Sequence, residues 1–220
     1  MKFKIILLTN LLLCFFISAV AQSPFIDEIE VFKKMDSLHP PAKNAILLVG
    51  SSSFRKWTDV QSYFPLYPII NRGFGGSSIP DVVSYANDII FPYNPRQILI
   101  YCGENDIAGS DTSISGKDVL ERFKKLFFLI RSRLPVVSIA FVSMKPSVSR
   151  EKLWPVMVTG NRLIKKFLSR QKKTAFINVY DAMFLPDGTV MKDIFLADNL
   201  HMNAKGYAIW KRIIEPYLIK

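Results

Sequence analysis

Five short apolar runs, separated by longer amphipathic stretches, constrain the fold of this chain more than any other feature. They are residues 45–49 (AILLV), 67–70 (YPII), 97–102 (QILIYC), 136–144 (VVSIAFVSM) and 174–179 (TAFINV). Their hydrophobicity is nearly continuous rather than alternating, which predicts strands buried on both faces and hence a parallel sheet. The intervening stretches 25–38, 60–64, 79–90, 117–133 and 155–170, and a last one at 204–217, carry helical signals. In 117–133, Val119, Leu120, Phe123, Leu126, Phe127 and Ile130 share one face, while Lys124, Lys125 and Arg131 lie off it. Strands alternating with helices predict an α/β protein, a three-layer α/β/α domain whose doubly wound sheet has about five parallel strands joined by right-handed crossovers. In such sheets ligands bind beyond the carboxyl ends of the strands. The segments expected there are Gly50-Ser51-Ser52-Ser53, Asn71-Arg72-Gly73-Phe74-Gly75-Gly76, Gly103-Glu104-Asn105-Asp106, Asp181 and Asp198-Asn199-Leu200-His201.

The first 21 residues read differently. Met1-Lys2-Phe3-Lys4 is a short basic start, residues 5–20 are mostly apolar, and Ala19-Val20-Ala21 offers a small-x-small cleavage site before Gln22. This layout predicts a secretory signal peptide, with export to periplasm or medium after cleavage near Ala21. The apolar run is shorter than the roughly 20 residues of a spanning helix, so no membrane span is expected after cleavage. Cys14 follows Leu11-Leu12-Leu13, where lipoprotein processing would want a small residue. Residues 22–220 then form a single domain without an internal repeat or a Gly/Ser linker. Loss of Cys14 leaves Cys102 alone, so no intramolecular disulfide is expected.

The formal net charge is +11, and Lys2 and Lys4 would leave with the signal. Such a balance suits anionic partners. Yet the densest cations, Arg150, Lys152, Arg162, Lys165, Lys166, Arg170, Lys172 and Lys173, are spaced like the wet face of a helix. A solvated face is therefore expected, and no nucleic-acid partner.

The chain has two histidines. His39 precedes Pro40-Pro41 in a stiff approach to the first strand. His201 follows Asp198 by three residues, a spacing that lets the carboxylate accept the imidazole Nδ1–H and leaves Nε2 to face a nucleophile. The same pair would also serve as an ordinary helix cap. A serine nucleophile needs a turn, a nearby base and N–H donors aimed at the developing oxyanion. Gly50-Ser51-Ser52-Ser53 supplies the turn, but serines there also suit plain capping. Gly76 could offer a backbone donor and Asn105 a side-chain donor, although a tight turn and an Asx turn explain them equally. No Gly-Lys-Ser/Thr follows the first turn, so it is not a phosphate-binding loop. No His/Cys set has metal-ligand spacing.

Taken together, these segments resemble the conserved blocks of the SGNH hydrolases, also called GDSL-type esterases and lipases. Gly50-Ser51-Ser52-Ser53 is similar to the Gly-Asp-Ser-Leu block, with Ser51 where the family carries aspartate, and Trp57 stands where many members have a tryptophan. Asn71–Gly76 resembles the second block, Gly103-Glu104-Asn105-Asp106 the Gly-x-Asn-Asp block, and Asp198-Asn199-Leu200-His201 the Asp-x-x-His block. The resemblance spans about residues 45–215. It implies a flavodoxin-like fold and a serine ester hydrolase with Ser52 as nucleophile, His201 as base and Asp198 orienting it. It also implies an oxyanion hole from the Ser52 and Gly76 N–H groups and the Asn105 side chain, with no metal and no cofactor. Export suits a short-chain, acetyl-type esterase acting on carbohydrate or other small esters. A lipase or lysophospholipase would want an apolar entrance, for which Phe74, Ile79, Trp154 and Met157 are candidates. An O-acyltransferase or a non-catalytic glycan-binding module are the remaining readings.

Overall fold

The computed structural model describes residues 24–220. The signal-peptide expectation for residues 1–21, with Cys14, lies outside the described residues. Helix α1 (Ile26–Leu38) leads into β1 (Ile46–Gly50), followed by two short helices, α2 (Ser52–Arg55) and α3 (Val60–Tyr63), and by β2 (Ile69–Gly73). Helices α4 (Ile79–Ser84) and α5 (Ala86–Ile89) precede β3 (Gln97–Tyr101), and α6 (Glu104–Ile107) and α7 (Gly116–Arg133) follow it. The rest comprises β4 (Ser138–Val142), α8 (Trp154–Leu168), β5 (Thr174–Ile177) and α9 (Ala204–Ile214), with short 3₁₀ turns between them.

The five strands are all parallel, in the order β2-β1-β3-β4-β5. The continuous apolar runs follow from burial on both faces. Leu47 and Val49 of β1, with Ile98 and Ile100 of β3 and Ile139 and Phe141 of β4, pack under the layer that contains α1, α4, α7 and α8. Their alternates Ile46, Leu48, Leu99, Tyr101, Ala140 and Val142 face the opposite layer, where Phe54, Trp57, Tyr207 and Trp210 pack. Fully burying one such side chain is worth about 1.5–3 kcal/mol. The edge strands β2 and β5 are only partly covered.

Helix α7 presents Val119, Phe123, Leu126, Phe127 and Ile130 to the core, and the mutual Ser115–Asp118 capping box starts it. The stretch expected to be one helix over 79–90 is two, because Tyr85 leaves helical geometry (φ −97°, ψ 9°). Its buried ring packs edge-on to Phe74 at 5.8 Å while its hydroxyl donates to the Pro24 carbonyl. Arg72 is buried between the rings of Phe32 and Tyr93 and pairs with Asp36, tying α1 to β2. The C-terminal residues are held at the amino end of the central strand. Gln97, first residue of β3, donates to the Tyr217 carbonyl (2.8 Å) and accepts from the Ile219 N–H (3.0 Å).

Candidate active site

Sheet order places a switch point between β1 and β3, whose connections leave in opposite directions and open a crevice beyond their carboxyl ends. Gly50 closes β1 at φ +130°, and a Cβ there would lie 2.0 Å from the Tyr101 carbonyl oxygen, so only glycine makes this turn. The turn delivers three serines to different places. Ser51 and Ser53 are buried, whereas Ser52, the first residue of α2, stays partly open. As a first helical residue its N–H has no partner within the helix.

Residues 198–201 reach the same place from the far end of the chain. Asp198 Oδ1 accepts the N–H groups of Leu200 and His201, both at 2.9 Å, folding the segment back on itself. Asp198 Oδ2 lies 2.6 Å from His201 Nδ1, and His201 Nε2 lies 2.9 Å from Ser52 Oγ. An ionised carboxylate only accepts, so Nδ1 carries the proton and Nε2 is free to accept from the Ser52 hydroxyl. Burial works to raise the Asp198 carboxyl, but the His201 side chain and the two N–H groups outweigh it and hold it well below the usual carboxylate range.

Gly76 turns with φ +62°, a left-handed conformation that favours glycine although space around it is open. The preceding Gly75 N–H donates to both carboxylate oxygens of Glu28 (3.1 and 3.2 Å), and Glu28 also pairs with Arg55 of α2 at 2.7 Å. The first helix thus fastens the glycine turn to the helix that carries Ser52. Asn105 Oδ1 accepts from Arg150 (2.6 Å), and its Nδ2 donates to Ser51 Oγ (2.7 Å) and the Ser77 carbonyl (3.0 Å). Ser52, Gly76, Asn105, Arg150 and His201 line one cleft of about 400 Å³. A larger concavity of about 870 Å³ between α3 and α9 contains none of them.

A buried ionic cluster lies under Asn105. Glu104 accepts from the Lys145 backbone N–H (2.9 Å), from Lys145 Nζ (3.2 Å), from Arg150 (3.4 Å) and from the Tyr101 hydroxyl. Burial would raise the Glu104 carboxyl, yet Lys145 and Arg150 hold it below its ordinary value. Burial also pushes the Tyr101 hydroxyl up, with Glu104 adding to the effect. Asp106 is structural in contact: it accepts from the Ile79 N–H (2.9 Å) and from Arg122 (3.0 Å), bracing α4 against α7.

The structure thus brings Ser52, Gly76, Asn105, Asp198 and His201 together. Asp181 does not join them; its carboxylate accepts from Asn178 outside the cleft. Phe74, Ile79 and Met157 are fully buried core residues, Trp154 is partly buried with its ring N–H donating to the Ser147 carbonyl, and none of the four lines the cleft. Arg150 departs from the expected solvated face: its side chain is 16% exposed and turned into the cleft. Glu28, Glu104 and Lys145 were not singled out by sequence. A lysine ending an otherwise apolar run at 136–144 was the one available signal for the buried cluster. Among the described residues no group of three or more His, Cys, Asp or Glu could hold a metal ion, and no helix is long and apolar enough to cross a membrane.

No protein-family model matches the sequence, and no curated protein matches it significantly. Solved structures do. A Streptococcus pneumonia protein named for platelet activating factor superposes with a TM-score of 0.74 at 19% identity, over 88% of this chain and 92% of that one. A GDSL-like lipase from Bacteroides thetaiotaomicron gives 0.69 at 14% identity, over 86% and 96%. An acetylxylan esterase from Geobacillus stearothermophilus, solved as a catalytic mutant, gives 0.61 at 14% identity, over 80% and 94%. The fold is that of GDSL-like lipases and acetylxylan esterases, consistent with the SGNH hydrolases that the four sequence blocks resemble.

Proposed function

We propose that this chain is an SGNH-type serine ester hydrolase working through an acyl-enzyme. The observation that carries the proposal is the unbroken hydrogen-bond path from Asp198 through His201 to Ser52 Oγ, with links of 2.6 and 2.9 Å. His201 Nε2 takes the Ser52 proton as Oγ attacks the ester carbonyl, whose electron pair moves onto oxygen. The Ser52 and Gly76 N–H groups and the Asn105 amide receive that oxyanion. Collapse expels the alcohol, which takes the proton from the imidazolium. Water then attacks the acyl-serine with His201 again as base, releasing the acid.

The substrate we propose is a short-chain, acetyl-type ester of a carbohydrate or another small polar alcohol. The cleft is small, and Glu28, Arg55, Lys56 and Arg150 line it. Of the side chains that would have formed an apolar entrance for a long acyl chain, Phe74, Ile79 and Met157 lie in the core, and Trp154 is partly buried and does not line the cleft. We further propose that residues 22–220 act as a single exported domain after cleavage near Ala21, which mass determination of the secreted protein checks.

A p-nitrophenyl ester series from acetate to palmitate, with acetylated sugars alongside, tests the activity. Acetate should be turned over fastest, and Ser52→Ala should abolish hydrolysis while remaining folded. Hydrolysis at the parental rate by soluble Ser52→Ala would remove the assignment, and a preference for palmitate would remove the substrate class.

A further inference from the structure

We propose that Arg150 is a positioning residue of the oxyanion site, acting on the transition state through Asn105 rather than on the substrate. The inference rests on the ester-hydrolase reading above.

The orientation of the Asn105 amide is chemically determined. A guanidinium only donates and a backbone carbonyl only accepts, so the atom facing Arg150 is oxygen and the atom facing Ser77 is nitrogen. Both amide hydrogens are occupied in this state, one by Ser51 Oγ and one by the Ser77 carbonyl. An oxyanion formed on Ser52 must therefore draw a hydrogen away from one of these partners. The Ser51 hydroxyl is the one able to yield, because it can rotate to another contact, whereas the Ser77 carbonyl belongs to the backbone and also accepts from Cys102. How well Asn105 makes that exchange depends on how strongly its N–H is polarised. The 2.6 Å bond from Arg150 is charge-assisted and draws electron density out of the amide, strengthening the donor at its other end.

Charge bookkeeping around the amide points the same way. Glu104 pairs with two cations, Lys145 and Arg150, in a region shielded from water, where the Lys145 and Glu104 side chains are 1% and 6% exposed. Burial works to lower the Lys145 ammonium while Glu104 and Asp198 act to hold its charge, and Arg150 is the cation that touches the amide. Arg150 sits at the cleft end of that cluster, directly behind the amide that would meet the developing negative charge. Its backbone is suited to the placement. Arg150 leaves helical geometry (φ −118°, ψ 24°) within the 3₁₀ segment Val148–Leu153, and the neighbouring Ser149 N–H donates to the Asn199 carbonyl (3.1 Å). The segment that holds Arg150 is thereby tied to the turn that holds His201.

The test is a double-mutant cycle on the full chain: parent, Arg150→Met, Asn105→Ala and the double variant. Two assays are read: kcat and KM on p-nitrophenyl acetate, and the rate at which a fluorophosphonate labels Ser52, a reaction in which Oγ adds to phosphorus through a pentacoordinate centre, fluoride leaves and negative charge builds on the phosphoryl oxygen that the same donors would meet. Arg150→Met should lower kcat and labelling on the order of tenfold or more, below the roughly 10²–10³-fold cost of deleting an oxyanion donor. KM should stay within about twofold, because the ground-state ester gains little from Arg150. Once Asn105 is alanine, removing Arg150 should cost less than about threefold. Arg150→Lys, which keeps the charge and the packing of the stem, should recover part of kcat and covers the case in which the methionine variant fails to fold. Losses that multiply independently in the double variant would overturn the proposal. So would an effect confined to KM, which would make Arg150 a substrate contact. Absence of Ser52 labelling in the parent would instead bring down the ester-hydrolase reading, and this inference with it.

Discussion

Three consecutive serines have three different fates, and only placement separates them. Ser52 meets His201, Ser51 accepts from Asn105, and Ser53 is buried beside Tyr207, whose hydroxyl donates to its carbonyl. The Asp198–His201 pair was legible in sequence because its geometry is local, a carboxylate and an imidazole three residues apart. Asn105 was legible through its block, but its partners were not, since Ser51, Ser77 and Arg150 come from three distant segments. Arg150 belonged to a set of eight cations read as one solvated face; the other seven are exposed and it alone turns inward. No periodicity could single it out, because its burial depends on Glu104 and Asn105 being there to receive it. For Asn105 itself, replacement by alanine should leave the fold intact and lower kcat roughly 10²–10³-fold, about 2.7–4 kcal/mol in the barrier. Steady-state kinetics together with an unchanged melting temperature checks this; a loss below about fivefold would take Asn105 out of the oxyanion site.

Among the elements, the apolar runs were the most readable, since strands covered on both faces leave no room for polar alternation. The long helices were readable from their stripes. The break at Tyr85 was not, because a tertiary contact, the packing of its ring on Phe74 and its bond to Pro24, overrides a good helical pattern. The 3₁₀ segment that carries Arg150 has no sequence signature at all. Helix α1 was predicted, but its role was not. Glu28 grips the Gly75 N–H and Arg55 together, so α1 acts as a brace between the glycine turn and the helix of Ser52. Glu28→Ala should therefore reduce stability by about 1.5–3 kcal/mol, the range for a hydrogen bond to a charged group. It should also lower kcat several-fold with little change in KM. Denaturant unfolding and kinetics measured on the same preparation decide the matter: a stability loss with unaltered kcat would confine the brace to folding.

At the scale of the whole molecule, the alternation of runs and helices made the α/β/α layering legible, whereas the strand order was implied only by the resemblance to a flavodoxin-like family, whose order β2-β1-β3-β4-β5 the sheet adopts. The order matters because it sets β1 beside β3 and so brings Gly50 and Gly103 to one crevice. Among the described residues, stability comes from the two apolar layers, and the one cysteine there, Cys102, is free. Cys102 is 2% exposed at the end of β3, and burial, helped by Asp106, pushes its thiol up. A thiol reagent added to the folded protein should thus leave Cys102 unmodified, as peptide mass mapping would show, and reach it only on unfolding. Rapid modification of Cys102 in the native protein would mean that the β3 end opens readily. The first and last described segments, finally, are not equivalent. Pro24, Phe25 and Glu28 lie against the elements that shape the cleft, while Tyr217 and Ile219 are moored at the start of β3, a strand's length of roughly 17 Å away. An affinity handle, a fusion partner or an attachment to a solid support therefore belongs on Lys220, where it hangs clear of the substrate's approach.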